Sequence, residues 1–296
     1  MGRRIVISGA SGLIGSALTA SLRSDGVGVT TLVRRPPRSS DEVEWMPGER
    51  ELDPDVLAGA DAVVALGGAS VGRMPWTPRY RAELVASRMR TTRTIATAVR
   101  ELRDDAPALV SASAVGYYGS APGRVLTEAS PAGTTFLARL CADWEEEARR
   151  AGDHAPVALL RTAPVIHPRG VLKPLMLLTR FGVAGPIGSG TQIWPWISLD
   201  DEVRAIRHIV DSRMHGAANL SGPTPASANT IGRALARRMR RAFWLPAPTW
   251  ALRLALSRDA TDSLLVADAD VRPSALEASG FAFTHRTAEE AVAAAL

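Results

Sequence analysis

The sequence is poor in the residues that form cross-links and metal sites. Cys141 is the only cysteine among 296 residues, so no internal disulfide bond can form. The five histidines and the single cysteine do not show the spacing of a zinc site, and we expect no metal. No apolar run approaches the roughly 18 residues of a membrane-spanning helix. These absences predict a cytoplasmic protein with no membrane partner.

Lysine is almost absent as well. Lys173 is the only lysine, so nearly all the basic charge behind the net charge of +5 comes from arginine. The arginines are scattered among acidic residues, and the densest run, Arg233–Arg241, falls on a predicted helix. Such a run is usually a solvated face rather than a phosphate-binding stripe. We therefore expect no nucleic-acid partner.

Short apolar segments alternate with longer amphipathic segments along the first two thirds of the chain. This alternation is typical of a parallel sheet covered by helices. The predicted strands, rich in Val, Ile and Leu, are Arg4–Ser8, Val29–Val33, Glu42–Trp45, Ala62–Leu66, Ala108–Ser111 and Val157–Arg161. The predicted helices between them are Leu13–Arg23, Pro78–Leu102 and Thr135–Ala151. The pattern predicts an α/β fold with a Rossmann-type, doubly wound parallel sheet.

The pattern changes in the last part of the chain. Residues 164–197 are rich in glycine and proline, which predicts a loop-rich lobe that binds the substrate. The elements predicted after this lobe are a helix at Asp200–Asp211, a strand at Ala217–Ser221 and a helix at Thr230–Arg241. We predict that residues 1–163, completed by about 198–241, form the Rossmann domain. Residues 164–197 and 242–296 would then form a smaller C-terminal substrate lobe.

Three glycines mark the strongest functional motif. Gly9, Gly12 and Gly15 lie between the first predicted strand and the first predicted helix. In a dinucleotide-binding turn, the first glycine permits the tight turn, the second lets a pyrophosphate approach the backbone, and the third lets the helix pack closely. The N–H groups at the start of the helix would then hold the anion. The site that we assign to a nicotinamide dinucleotide also includes Ser11, Leu13 and Ile14. The alternative is a glycine-rich turn without a ligand.

The end of the second predicted strand indicates which dinucleotide binds. NAD-binding proteins usually have an acidic residue here for the ribose 2′-hydroxyl. This strand is followed instead by Arg34 and Arg35, and a guanidinium group is suited to the additional 2′-phosphate of NADP. We therefore expect NADP(H) rather than NAD(H), the alternative being that both arginines are solvated. The small residues that end the fourth predicted strand complete the cofactor site, namely Leu66, Gly67 and Gly68.

These motifs resemble the extended branch of the short-chain dehydrogenase/reductase superfamily. The resemblance rests on the glycine turn, on Leu66–Gly68 and on Ser111–Gly119. The stretches that are similar to its epimerase-like family of nucleoside-diphosphate-sugar epimerases are residues 33–37, 76–88, 113–119, and 188–192 with 196–201. The tail from Leu245 to Phe283 resembles that family's C-terminal domain of unknown function. The resemblance implies a seven-stranded Rossmann domain and NAD(P) binding without fixing a substrate. By analogy with relatives, it also suggests a homodimer formed through the long predicted helices.

The usual catalytic pair of this superfamily is missing. Its enzymes commonly combine a serine or threonine with a Tyr-x-x-x-Lys pair, whose lysine lowers the tyrosine pKa. Ser113 matches the serine, but no tyrosine is followed by a lysine at this spacing. The helix that should carry the pair aligns Phe136 or Leu137 with the tyrosine and Leu140 or Cys141 with the lysine. The resemblance therefore predicts a serine without its usual partners.

Other side chains are candidates for proton transfer and substrate binding. Tyr117 and Tyr118 follow Ser113 closely, so either could donate a proton, although packing beneath the cofactor explains them equally well. We expect the substrate pocket to be lined by Gln192, Trp194 and Trp196, because flat rings pack well against sugars. The alternative for the tryptophans is core packing.

Two functions remain open. The first is an NADP(H)-dependent oxidoreductase or epimerase that acts on a small polar molecule such as a nucleotide sugar. The second is a non-catalytic NADP(H)-binding protein that senses redox state or acts as a scaffold, since the tyrosine–lysine pair is absent. Measuring NADPH binding and turnover together would separate them.

Overall fold

A seven-stranded parallel sheet forms the centre of the computed structural model, which describes residues 2–296. The strands, in their order across the sheet, are β3 Glu42–Glu44, β2 Gly28–Val33, β1 Arg4–Ser8, β4 Ala62–Ala65, β5 Ala108–Ala114, β7 Val157–Thr162 and β11 Gly216–Leu220. All neighbouring strands are parallel. The strand order reverses between β1 and β4, and doubly wound sheets bind ligands at such a point. The predicted Rossmann-type α/β fold is confirmed.

Helices cover both faces of this sheet. They are α1 Leu13–Ser24 and α5 Leu199–Asp211 on one face, and α2 Pro78–Glu101 and α3 Phe136–Arg149 on the other. Strand β1 shows the arrangement, because Ile5 and Ile7 are buried on the α1 side while Val6 is buried on the α2 side. Burial on both faces makes a parallel strand a continuous apolar segment in the sequence. Within residues 2–296, no helix combines the length and apolar character needed to cross a membrane.

The remaining elements are short. The strands are β6 Val125–Leu126, β8 Val165–Ile166, β9 Ile193–Trp194, β10 Ile197–Ser198, β12 Ala226–Ser227 and β13 Asp270–Val271. The helices are α4 Leu172–Arg180, α6 Ala228–Arg238, α7 Thr249–Leu256, α8 Arg258–Leu264, α9 Ser274–Ala278 and α10 Ala288–Ala295. The prediction of a loop-rich segment at 164–197 missed α4. Pro174 argues against a helix in the sequence. However, Pro174 lies in the first turn of α4, where a missing N–H group costs little.

The C-terminal segment packs along the Rossmann domain. Strand β13 pairs with β6, α9 packs on β11, and α10 packs on α6. Asp201, at the start of α5, accepts hydrogen bonds from the backbone N–H groups of Thr284 (2.7 Å) and His285 (3.0 Å). Hydrogen bonds therefore join the C-terminal segment to the sheet domain, in addition to apolar contacts. The division into a Rossmann domain and a substrate lobe stays a prediction.

Glu202, in the first turn of α5, is a buried acid without a counter-charge. Its Oε1 accepts a hydrogen bond from Thr162 Oγ1 (2.9 Å), and its Oε2 has no partner within residues 2–296. Because burial disfavours the charged form, the pKa of Glu202 is raised from 4.5 to about 8. The folded protein therefore holds a proton on Glu202 at neutral pH, which the unfolded chain releases.

We expect Glu202→Gln to flatten the pH dependence of stability. Since the folded pKa is raised, the stability from the neutral acid is fully present below pH 4.5 and is lost as the pH rises through about 8. The loss approaches about 1.4 kcal/mol per pH unit. Glutamine keeps the shape but cannot ionise. Urea unfolding from about pH 5 to about pH 9 measures the slope.

The exposed neighbour Asp200 provides the control. Asp200→Asn should keep the wild-type slope, because it changes an exposed side chain and leaves the buried Glu202 in place. Equal slopes for the wild type and Glu202→Gln would contradict the role of the buried acid.

Candidate functional site

The glycine turn after β1 is held tightly against the end of β4. Gly9 has a φ of +78°, in the left-handed region that favours glycine, and a Cβ there would lie 2.8 Å from the carbonyl carbon of Leu66. Gly15 is equally constrained, because its Cβ would overlap the carbonyl oxygen of Gly9. A Cβ at Gly12 would meet only that same oxygen, at 3.2 Å. The turn is therefore packed on two sides, and Gly12 keeps an open side.

Helix α1 begins without a side-chain cap. Its N-cap is Gly12, and no acidic residue lies in its first turn. Within residues 2–296, no partner caps the N–H groups of Leu13 and Ile14. Uncapped N–H groups and the helix dipole together suit an anion, and Ser11 is exposed beside them. These residues fit the pyrophosphate of a dinucleotide.

The end of β4 lies beside this turn. The Cβ that Gly9 lacks would be 3.0 Å from the backbone nitrogen of Gly67, and Gly68 is exposed next along the chain. Helix α2 holds this segment, because Ser87 Oγ accepts a hydrogen bond from the N–H group of Ala69 (3.0 Å). The fold therefore brings together the residues that the sequence placed in a cofactor site after β1 and β4.

The two arginines after β2 differ in their partners. Arg35 donates two hydrogen bonds to the carboxylate of Glu42 (2.8 and 2.7 Å). These bonds, followed by one from the backbone N–H of Arg38, lower the pKa of Glu42 to about 2. Arg34 is exposed and makes no hydrogen bond or ion pair within residues 2–296. Of the two predicted arginines, only Arg34 has a guanidinium group available for a phosphate.

A buried ion pair lies at the carboxyl ends of β5 and β7. Arg161 donates to Glu145 of α3 through Nε (2.8 Å) and Nη2 (2.9 Å), and both side chains are at most 3% exposed. Ser113 Oγ donates to the same carboxylate (2.8 Å). Arg161 also donates to the carbonyl oxygen of Glu128 (3.2 Å). This pair joins two strands and a helix at the predicted catalytic serine.

The two neighbouring tyrosines have different environments. The hydroxyl of buried Tyr118 donates to Asn219 Oδ1 (2.6 Å) and accepts from Arg161 Nη1 (2.9 Å), and burial raises its pKa to about 12. Tyr117 is half-buried, and its ring centroid lies 3.6 Å from the guanidinium carbon of Arg161. The Tyr117 hydroxyl makes no hydrogen bond within residues 2–296. Tyr118 is thus fixed inside the protein, whereas Tyr117 keeps an available hydroxyl.

Comparison with known proteins identifies the family. A model of the NAD dependent epimerase/dehydratase family matches residues 5–220, which is most of the chain. The protein belongs to this family. A domain of unknown function, DUF1731, matches residues 247–295. The resemblance read from the sequence is therefore confirmed, together with its C-terminal domain and a nicotinamide dinucleotide as the cofactor of the family.

Relatives of this epimerase/dehydratase family member match nearly the whole chain. An epimerase family protein of Mycobacterium bovis is 41% identical over 291 residues, 97% of this chain and 96% of the relative. The crystal structure of the human epimerase family protein SDR39U1 with NADPH is 26% identical and has a TM-score of 0.87, covering 98% of each chain. A nucleoside-diphosphate sugar epimerase from Corynebacterium glutamicum is 31% identical with a TM-score of 0.79, covering 99% of this chain and 58% of that one.

This epimerase/dehydratase family member has no tyrosine–lysine pair on α3. Leu137 and Cys141 are both buried at the aligned positions, and a Cβ at Gly116 would lie 3.3 Å from Leu137. Burial raises the pKa of the Cys141 thiol to about 12, although nearby Arg88 and Ser113 oppose that rise. A thiol that stays protonated and buried is not a nucleophile. Helix α3 therefore supplies neither a phenol nor an amine at these positions.

The three residues expected to line the substrate pocket lie in the core. Gln192 Nε2 donates to two backbone carbonyl oxygens (3.0 and 2.8 Å). Trp194 Nε1 donates to the carbonyl oxygen of Leu265 (3.0 Å), and Trp196 Nε1 to that of Thr224 (2.9 Å). All three side chains are at most 7% exposed. Their donors are used inside the protein, so the structure favours core packing over substrate binding.

The sequence prediction missed Arg161 and Glu145. The available signal was weak: Leu137, Cys141 and Glu145 follow one another at four-residue spacing, so the acid shares the buried face of α3. Arg161 follows the apolar segment Val157–Leu160 in a strand buried on both faces. A buried acid and a buried arginine on adjacent elements suggest an ion pair, but only the fold shows that they meet.

Removing Arg161 should strongly destabilise the protein. Arg161→Met leaves the Glu145 carboxylate buried without its main counter-charge, which typically costs about 3–5 kcal/mol. Adding Glu145→Gln should recover part of the loss. Urea unfolding of the two single variants and the double variant measures the coupling.

Arg149 supplies the matched control, because it also reaches Glu145 (3.2 Å) but from an exposed position. Arg149→Met should cost less than about 1 kcal/mol. If the losses from Arg161→Met and Glu145→Gln simply add in the double variant, the two groups are not coupled.

Proposed function

We propose that this protein is an NADP(H)-dependent epimerase-like or oxidoreductase enzyme that acts on a small polar substrate, such as a nucleotide sugar. The observation that carries the proposal is the uncapped N-terminus of α1, held where the strand order reverses and beside the end of β4. Bound NADP(H) would transfer hydride to or from the substrate. The chain itself must then bind the dinucleotide, orient the substrate and move a proton.

Arg34 supports NADP(H) as the preferred dinucleotide. Guanidinium–phosphate hydrogen bonds are strong because both partners are charged. Arg34 has no protein partner, whereas two guanidinium nitrogens of Arg35 already donate to Glu42. The NADPH in the crystal structure of the human relative points in the same direction.

We expect Arg34→Ala to weaken NADPH binding about tenfold or more and to leave NADH binding nearly unchanged, because only NADPH carries the 2′-phosphate. Isothermal titration calorimetry with both cofactors measures the two affinities. Arg35→Ala is the matched control and should change the NADPH/NADH ratio much less. A parallel loss of both affinities in Arg34→Ala would remove the argument for NADP(H).

Tyr117 is our candidate for the proton donor. Its hydroxyl has no protein partner, and its ring lies on the guanidinium group of Arg161. Burial lowers the pKa of Arg161, but the hydrogen bonds and charge interactions with Glu145 and Tyr118 together outweigh this and raise it, so this group stays charged. A fixed positive charge stabilises the negative charge that forms when a phenol gives up its proton. The guanidinium group of Arg161 against the Tyr117 ring can therefore support the loss of a proton from Tyr117.

We expect Tyr117→Phe to reduce turnover about 10²- to 10⁴-fold, the usual contribution of a positioned acid or base. Its NADPH affinity should stay close to the wild-type value. Turnover is measured as the change in NADPH absorbance with a panel of carbonyl compounds and nucleotide sugars, with product analysis for epimerisation. Tyr118→Phe is the control, since it should lower stability through lost hydrogen bonds to Asn219 and Arg161 rather than act on chemistry.

A non-catalytic role as a redox sensor or scaffold is favoured by one observation, the apolar Leu137 and buried Cys141 in place of the usual pair. This role predicts saturable NADPH binding without turnover of any compound in the panel. Turnover that Tyr117→Phe abolishes would exclude it.

A further inference from the structure

Arg88 is a buried arginine without a carboxylate partner. It lies on the apolar face of α2 with Leu84 and Ile95, and only 9% of it is exposed. Its Nη1 donates to the carbonyl oxygen of Leu84 (3.0 Å), and it makes no ion pair within residues 2–296. The other guanidinium nitrogens have no protein partner, yet they are not sealed from solvent. A buried charge with no counter-charge is costly, and burial lowers the pKa of this arginine.

The guanidinium group lies between the end of β4 and α3. A Cβ at Gly68 would be 3.4 Å from its central carbon, and the same carbon lies 4.9 Å from the ring centroid of Trp144. Its charge also acts on Cys141, which aligns with the lysine of the missing pair. A cation from α2 therefore lies close to Gly68 and Trp144, and its charge reaches the residue that aligns with that lysine.

The strand order indicates which part of a dinucleotide would meet Arg88. The pyrophosphate site at α1 follows β1, and the phosphate-binding candidate Arg34 follows β2 on one side of it. A ligand that crosses the sheet from Arg34 must continue towards the ends of β4 and β5. Gly68 and Ser113 lie at those ends, beside Arg88 and Cys141.

We propose that Arg88 replaces the missing lysine and binds the nicotinamide nucleotide half of NADP(H). This inference rests on the proposed cofactor function. The hydroxyl and phosphate oxygens of that half are acceptors, and a guanidinium group offers five donors, of which the protein uses few. The ligand would thus supply the partners that the protein does not.

The test compares the whole cofactor with its adenosine half. Calorimetry on the full chain gives the affinities of the wild type and Arg88→Met for NADPH and for adenosine 2′,5′-bisphosphate, which contains the 2′-phosphate but no nicotinamide. We expect Arg88→Met to weaken NADPH binding about 10- to 100-fold and to leave binding of the bisphosphate unchanged. Arg90→Met removes an exposed arginine of the same helix and should change neither affinity.

Several outcomes would overturn the proposal. A similar loss for both ligands would assign Arg88 a purely structural role, and no loss for NADPH would remove it from the site. A wild type that binds neither ligand would instead overturn the cofactor function itself. Should Arg88→Met fail to fold, a crystal structure of the wild type with NADPH tests whether Arg88 contacts the cofactor. The guanidinium group must then lie within about 3 Å of an oxygen of the nicotinamide nucleotide, and a greater separation contradicts the proposal.

Discussion

The close packing around Gly9 is the constraint on which the candidate site depends. Leu66 contacts the turn from β4 and Gly15 contacts it from α1, and neither contact leaves room for a side chain. These contacts fix the first turn of α1 relative to the sheet. Because the helix has no side-chain cap, the same contacts also fix a set of unpaired N–H groups. A rigid set of donors binds an anion without first having to be ordered. The packing of these three backbone segments therefore preorganises the anion-binding site.

The arginines of the site are of two kinds, those paired with a carboxylate and those without one. Arg35 and Arg161 each face a carboxylate and hold structure together. Arg34 and Arg88 face none. An unpaired arginine at the surface costs little, because water solvates it, so Arg34 alone would be weak evidence of a ligand. An unpaired arginine that is nine-tenths buried has lost most of that water, so Arg88 is the more informative of the two.

The sequence predicted the parts of the structure that depend on neighbouring residues. All seven strands of the central sheet were located, because most of them are buried on both faces and are therefore apolar segments, although the edge strand β3 is only half-buried. Strand β5 ran further than expected, to Ala114, and β7 ran to Thr162. The glycine turn was recognisable because its residues are contiguous. The ion pair between Arg161 and Glu145 was not, since it joins separate elements. The sequence left two environments open for Trp194 and Trp196 for a related reason: tryptophans occur both in pockets and in cores, and only the fold shows that both are buried.

Without a tyrosine–lysine pair, the candidate site still contains charged groups, but other elements supply them. In the usual pair, one turn of one helix supplies both the acid and the cation. Here the same helix supplies an acid, Glu145, whose carboxylate accepts the proton of Ser113. Ser113 therefore points its hydrogen into the protein and can offer a ligand only its lone pairs. Of the hydroxyl groups discussed, that of Tyr117 has no protein partner and can still donate its proton to a ligand. Tyr117 lies on the short turn after β5. If Tyr117 is the proton donor, the proton would enter or leave the reaction on the β5 side of the site. Helix α3 would then contribute only the Glu145 carboxylate, which balances the charge of Arg161.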